Sequence, residues 1–149
     1  MLENILFSEA VKVEQLHCAA ITAQKLPAST AFIDVSKYSR FAFLIGIGAV
    51  DEASTYQVMQ DTSATQTAGV ANVTDAKVVV AAATGDNKWY LIEVETARLK
   101  LNDDFKFVTL DVSGPTDGDD IAAVFFLGFN DKAPVTQGTD KGEVVTIAG

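Results

Sequence analysis

The stretch FAFLIGIG, residues 41–48, decides the fold class of this chain. Phe41, Phe43, Ile45 and Ile47 recur at every second position, which places them on one face of an extended strand. The alternate positions, Ala42, Leu44, Gly46 and Gly48, carry no charge, so the strand is apolar on both faces. IAAVFFLGF, residues 121–129, has the same character. Such a strand is either central in a sheet and covered on each side, or it has an outer face that is buried only in an assembly. The sequence leaves both explanations open.

Working outward, the period of two continues through most of the chain. In TAFIDV, Ala31, Ile33 and Val35 share a face, and VSKYSR makes the turn into the decisive strand. STYQVMQD alternates Tyr56 and Val58 with Gln57 and Met59. A Thr/Ser/Ala-rich stretch, 62–67, leads to two short strands, GVANV and KVVVA, and ATGDNK is the next turn. WYLIEV sets Tyr90, Ile92 and Val94 against Trp89, Leu91 and Glu93. TARLKLNDD reads as a loop or a single helical turn, and FKFVTLDVS and IAAVFFLGF close the series across GPTDGDD. Pro27, Pro115 and Pro134 all fall outside strand interiors. Short strands at this spacing without intervening helices predict an all-β fold, a single β-sandwich or jelly roll of about eight strands. The inward set expected from alternation is Ile33, Val35, Phe43, Ile45, Val58, Ile92, Val108, Leu110, Val124 and Phe126.

The two ends break the pattern. Residues 2–16, LENILFSEAVKVEQL, read partly as helix and partly as strand, and a first strand is expected over 15–22. Residues 131–149 are polar and end in an apolar VVTI. The expected organisation is an N-terminal arm (1–15), a β-sandwich domain (16–130) and an extended C-terminal tail (131–149). Each end is too polar to form its own core but carries one apolar cluster, Leu2, Ile5, Leu6 and Phe7 in the arm and Val144, Val145 and Ile147 in the tail. These seven residues are the expected contacts with a neighbouring subunit, and GEVVTIAG also has the makings of a strand added to an open sheet edge.

With 149 residues, 48% of them hydrophobic and 21% charged, the chain has the size and composition of one globular domain. Its 11 basic and 20 acidic residues give a net charge of -9, spread over both halves. No basic patch offers itself to phosphates, so neither nucleic acid nor an anionic membrane is an expected partner. The single cysteine, Cys18, cannot form an internal disulfide. There is no signal-peptide pattern at the N-terminus and no apolar run of the roughly 20 residues a spanning helix needs. Synthesis in a cytoplasm is therefore expected.

No constellation in the sequence fits catalysis. His17 is the only histidine and stands next to Cys18; on a strand, adjacent side chains point to opposite faces, so the two cannot act as a pair. They also cannot supply a zinc ligand set. GIG at 46–48 lacks the Gly-Lys-Ser/Thr of a phosphate loop, and is read instead as a close backbone approach or a bulge. Asp117, Asp119 and Asp120 offer oxygen ligands, but no Glu stands at the twelfth position of a calcium loop, which favours a solvated turn. Glu93 and Glu95 share a strand face and read as a solvated edge. Trp89, Tyr90 and the phenylalanines are the candidates for a sugar platform, although aromatics more commonly fill a sandwich core. The expectation is no enzyme, no catalytic residue, no cofactor and no metal.

Four pieces resemble small proteins encoded in the head modules of tailed phages and prophages. They are the short arm before a strand; FIDVSKYSRFAFLIGIGAVD (32–51); STYQVMQDTSA (54–64); and the end from FKFVTLDVS to IAAVFFLGFNDKAP (105–134). Together they cover about two thirds of the chain. The resemblance implies a jelly-roll head decoration protein, an auxiliary capsid or cement protein that sits on the outer capsid surface of the virion. Its implied partners are the major capsid protein and further copies of itself, as a trimer or another small oligomer, with the trimer favoured. The tail over 135–149 is longer than the pattern of that group. The alternatives are a tail-tube or head-completion protein and a carbohydrate-binding β-sandwich module.

Overall fold

The computed structural model describes residues 7–130, and among these the alternating segments become nine strands. They are β1 (Val11–Ala20), β2 (Gln24–Leu26), β3 (Ile33–Asp34), β4 (Arg40–Ile47), β5 (Ser54–Asp61), β6 (Ala71–Val80), β7 (Trp89–Glu95), β8 (Phe107–Ser113) and β9 (Ile121–Phe129). Among the described residues, helix is confined to α1 (Phe7–Ala10) and two 3-10 turns, Thr96–Arg98 and Leu101–Asp103, where a loop or one turn is expected. No helix among the described residues is long and apolar enough to cross a membrane.

The strands form two antiparallel sheets. The first has the order β1-β9-β4-β7 and the second β2-β8-β5-β6, with β3 also on β8. The pairs nest: β5 with β6, β4 with β7, β2 and β3 with β8, and β1 with β9. A chain paired in this way is one long hairpin rolled up so that successive pairs alternate between two layers, which is the jelly roll. The core lies between the layers.

Nine of the ten residues expected inside are buried, and Phe41, Phe43 and Phe126 pack as a fully covered aromatic cluster with ring centroids 5.7–6.1 Å apart. Each buried phenylalanine is worth roughly 1.5–3 kcal/mol of transfer free energy. Gly128 leaves room for the ring of Tyr38, which a Cβ there would overlap. Ile33 is the exception to the inward set. Only Ile33 and Asp34 pair with β8, and the chain turns on both sides of them, so Phe32 and Val35 are buried while Ile33 is half-covered.

Three readings of the sequence are corrected. The first strand starts at Val11, inside the expected arm, because Val11 and Val13 pair with Phe129 and Leu127 of β9. GVANV and KVVVA belong to one strand, β6, whose register with β5 breaks between Gln57 and Met59. Asp75 sits in the break at φ 62°, and the Gln57 side-chain amide donates to the Val73 and Ala76 carbonyls at 3.0 and 3.1 Å. Finally, Gly46 is neither a bulge nor a tight approach: the ladder runs unbroken through it to Trp89 and Ala123, and a Cβ would meet nothing closer than 3.9 Å.

Candidate assembly surface

The doubly apolar strands β4 and β9 lie side by side in the middle of the first sheet. Their inner residues fill the core. Their outer residues form a face with no covering layer among the described residues. Across this face the register aligns Leu127 with Ala42, Phe125 with Leu44 and Leu91, and Ala123 with Gly46 and Trp89. Trp89 is 71% exposed, Ile121 49% and Leu91 44%. The strands are therefore central in their sheet without being covered on both sides by the described residues, and the outer side of that sheet is apolar.

The outer side of the second sheet is different in kind. One row across it reads Lys25, Asp111, Gln57 and Lys77, with Lys25 and Asp111 paired at 3.1 Å. Thr109, Met59 and Asn72 form the next row. This face is polar, as expected for a sheet wetted on one side. The apolar side ends at a charged margin, where Arg40 pairs with Glu93 at 3.1 Å and lies over the Phe129 ring at 4.6 Å.

Of the residues expected to make contacts, Phe7 is described: it begins α1 and is 62% exposed. Leu2, Ile5, Leu6, Val144, Val145 and Ile147 lie outside the described residues. Trp89 and Tyr90 point to opposite sides, Trp89 out of the sheet and Tyr90 toward the core, so they do not form a platform together. Glu93 and Glu95 are both exposed on the apolar sheet's margin. His17 and Cys18 pair with Val124 and Ala123 and so face opposite sides, and the His17 ring contacts the Ala20 carbonyl at 2.9 Å.

The loops at one end gather acidic side chains from two turns. Carboxylate oxygens of Asp51, Asp117 and Asp119 lie within 4.8 Å of one another, all three exposed. Asp51 joins the TDGDD turn only through the fold. Asp120 does not face outward with the others: it is buried and accepts from the N–H groups of Asp51 and Glu52. The Asp119 N–H donates to Asp117 within its own turn, and Glu52 accepts from the Thr116 N–H and hydroxyl, which ties the two turns together.

A buried carboxylate holds the other end. Asp61 is fully covered and accepts from the Thr62 N–H at 2.6 Å and from the Thr67 N–H and hydroxyl, each at 2.7 Å. Burial alone pushes its pKa up, but the hydrogen bonds from Thr67 and Thr62 outweigh that, and the net shift is downward.

The apolar outer face was signalled by the alternation of Trp89 and Leu91 with Tyr90 and Ile92, but which side of that strand faces the core is a tertiary matter. Comparison with known protein families, with curated proteins and with solved structures found no match.

Proposed function

We propose that this chain is a non-enzymatic structural protein of a tailed-phage virion, a decoration or cement protein on the outer surface of the head. The observation that carries the proposal is the one-sided jelly roll, with an apolar outer face bearing Trp89, Leu91 and Ile121 backed by a polar sheet. Apolar patches of this kind, rimmed by polar groups, mark protein contact sites. In this reading the apolar sheet lies against the major capsid protein and the polar sheet faces solvent. The net charge of -9 suits the outside of a shell that holds DNA within. Fold alone does not assign function, since jelly rolls serve capsids, lectins and small-molecule enzymes alike. The glycan-module reading loses support because Tyr90 turns inward and Phe41, Phe43 and Phe126 fill the core.

The test is imaging of the source particle with this protein labelled. Label over the head surface is the expected result. Label confined to the tail overturns the decoration role in favour of a tail-tube function, and specific glycan binding by the isolated protein overturns it in favour of a carbohydrate-binding module.

A further inference from the structure

An aspartate side chain lies close to the amide nitrogen of the residue that follows it. Closing a five-membered ring between the two is intramolecular, so only rotation about a few bonds separates the reactants. The following residue decides how freely they turn, and glycine, without a Cβ, hinders least. The chain has one Asp-Gly pair, Asp117–Gly118, and no Asn-Gly pair. The fold leaves this peptide open. It lies in the turn between β8 and β9, and the turn is anchored on either side of it. Thr116 donates to Glu52, while buried Asp120 accepts from the Asp51 and Glu52 N–H groups. Between these anchors the Gly118 N–H bonds to nothing among the described residues. Gly118 stands at φ 81°, and a Cβ there would meet nothing closer than Thr22 at 3.8 Å. The hydrogen bond on the Asp117 carboxylate, from the Asp119 N–H at 3.0 Å, is exposed to competing water. The Asp51 and Asp119 carboxylates lie within 4.8 Å of it, so losing the Asp117 charge relieves repulsion.

We propose that Asp117–Gly118 is a site of spontaneous isomerisation to isoaspartate in the folded protein. The Gly118 nitrogen attacks Cγ of the protonated Asp117 carboxyl. The amide proton and the carboxyl hydroxyl leave as water, and a neutral succinimide forms. Water then adds to one of the two ring carbonyls. Breaking the bond from nitrogen to Cγ restores aspartate. Breaking the bond from nitrogen to the main-chain carbonyl carbon leaves the chain running through Cβ and Cγ, with the α-carboxylate free. One water leaves and one returns, so the mass is unchanged and nothing is oxidised or reduced. The product lengthens the main chain by one atom between the Thr116 and Asp120 anchors. The Asp120 side chain is then no longer held under the Asp51 and Glu52 N–H groups, and the join between the two turns loosens.

The test stores the full chain, folded, in mildly acidic buffer. Trypsin then releases residues 107–132, and chromatography with electron-transfer fragmentation separates aspartate from isoaspartate at position 117. The expected result is a second form of this peptide, equal in mass, that accumulates several-fold faster than isoaspartate at any other aspartate. A form lighter by one water should precede it. Gly118→Ala should slow the conversion several-fold, and Asp117→Glu, which keeps the charge but closes only to a six-membered ring, should abolish it. The same chain unfolded in urea supplies the reference rate, and the folded protein should fall within several-fold of it. Conversion in the unfolded chain alone overturns the proposal, because the turn then protects the peptide. No conversion in either state overturns it as well. The wild-type comparison is decisive even where Gly118→Ala does not fold. In the separated isoaspartate form, the Asp51 and Glu52 amide hydrogens should exchange several-fold faster than in fresh protein; unchanged exchange overturns the loosening of the turns. No particle enters the measurement, so this site and the decoration role fail independently.

Discussion

Two residues show how much of this fold rests on single positions. Gly114 stands at φ 117°, and a Cβ there would overlap the Ala53 carbonyl oxygen as β8 ends beside the start of β5. Neither the dihedral nor the space suits another residue. Gly114→Ala should lower stability by about 1–3 kcal/mol, measured by thermal or urea unfolding. Asp61 acts through charge. Its pKa is lowered in the fold, so it contributes stability above the unfolded carboxylate value of about 3.9, and that contribution is lost as pH falls through the folded value. Asp61→Ala leaves the Thr62 and Thr67 donors unmet and should cost about 3 kcal/mol at pH 7. The difference from wild type should narrow as the solution is acidified; a constant gap down to pH 2 would remove the charged form from this account.

At the level of elements, the central question is why β4 and β9 are apolar on both sides while β5 and β8, their counterparts in the other sheet, are not. The core explains only one side of each. The other side is the contact face in the proposed attachment, and Trp89 makes this measurable because it is the only tryptophan and is 71% exposed. Trp89→Ala removes a large exposed side chain that takes no part in the core, so Tm should change by no more than a degree or two. Attachment to particles should weaken at least ten-fold, as truncation of a buried aromatic anchor ordinarily does. In the wild type the emission maximum should move to shorter wavelength on attachment. Unchanged emission and unchanged affinity would show that the apolar sheet is not the attachment face.

For the whole molecule, the buried cluster runs from Ile21 to Phe126, so the layers close on residues well inside both ends. Deleting residues 135–149 should therefore leave the fold intact, with a cooperative melt close to that of the full chain, and weaken particle attachment instead. A truncated protein that is unfolded in isolation would assign the tail to its own sheet. Full affinity without the tail would end the docking role expected for Val144, Val145 and Ile147.

Sequence alone establishes where most of the strands lie and which of their residues share a side. Period-two alternation reports which residues share a side, and burying one side stabilises the fold so strongly that β5 and β9 fall on the very residues where alternation places them. Alternation also reached the inward set, failing only at Ile33, where a two-residue strand is too short for period to dictate burial. What alternation cannot carry is anything set by distant partners. It splits β6 in two because the break at Asp75 is bridged by Gln57 from another strand. It leaves Asp51 unconnected to Asp117 and Asp119, which lie more than sixty positions further along the chain. Above all, it shows that β4 and β9 are apolar on both sides without showing that they are neighbours. Only the rolled pairing of the chain puts them together, and so turns two ambiguous strands into one continuous apolar face.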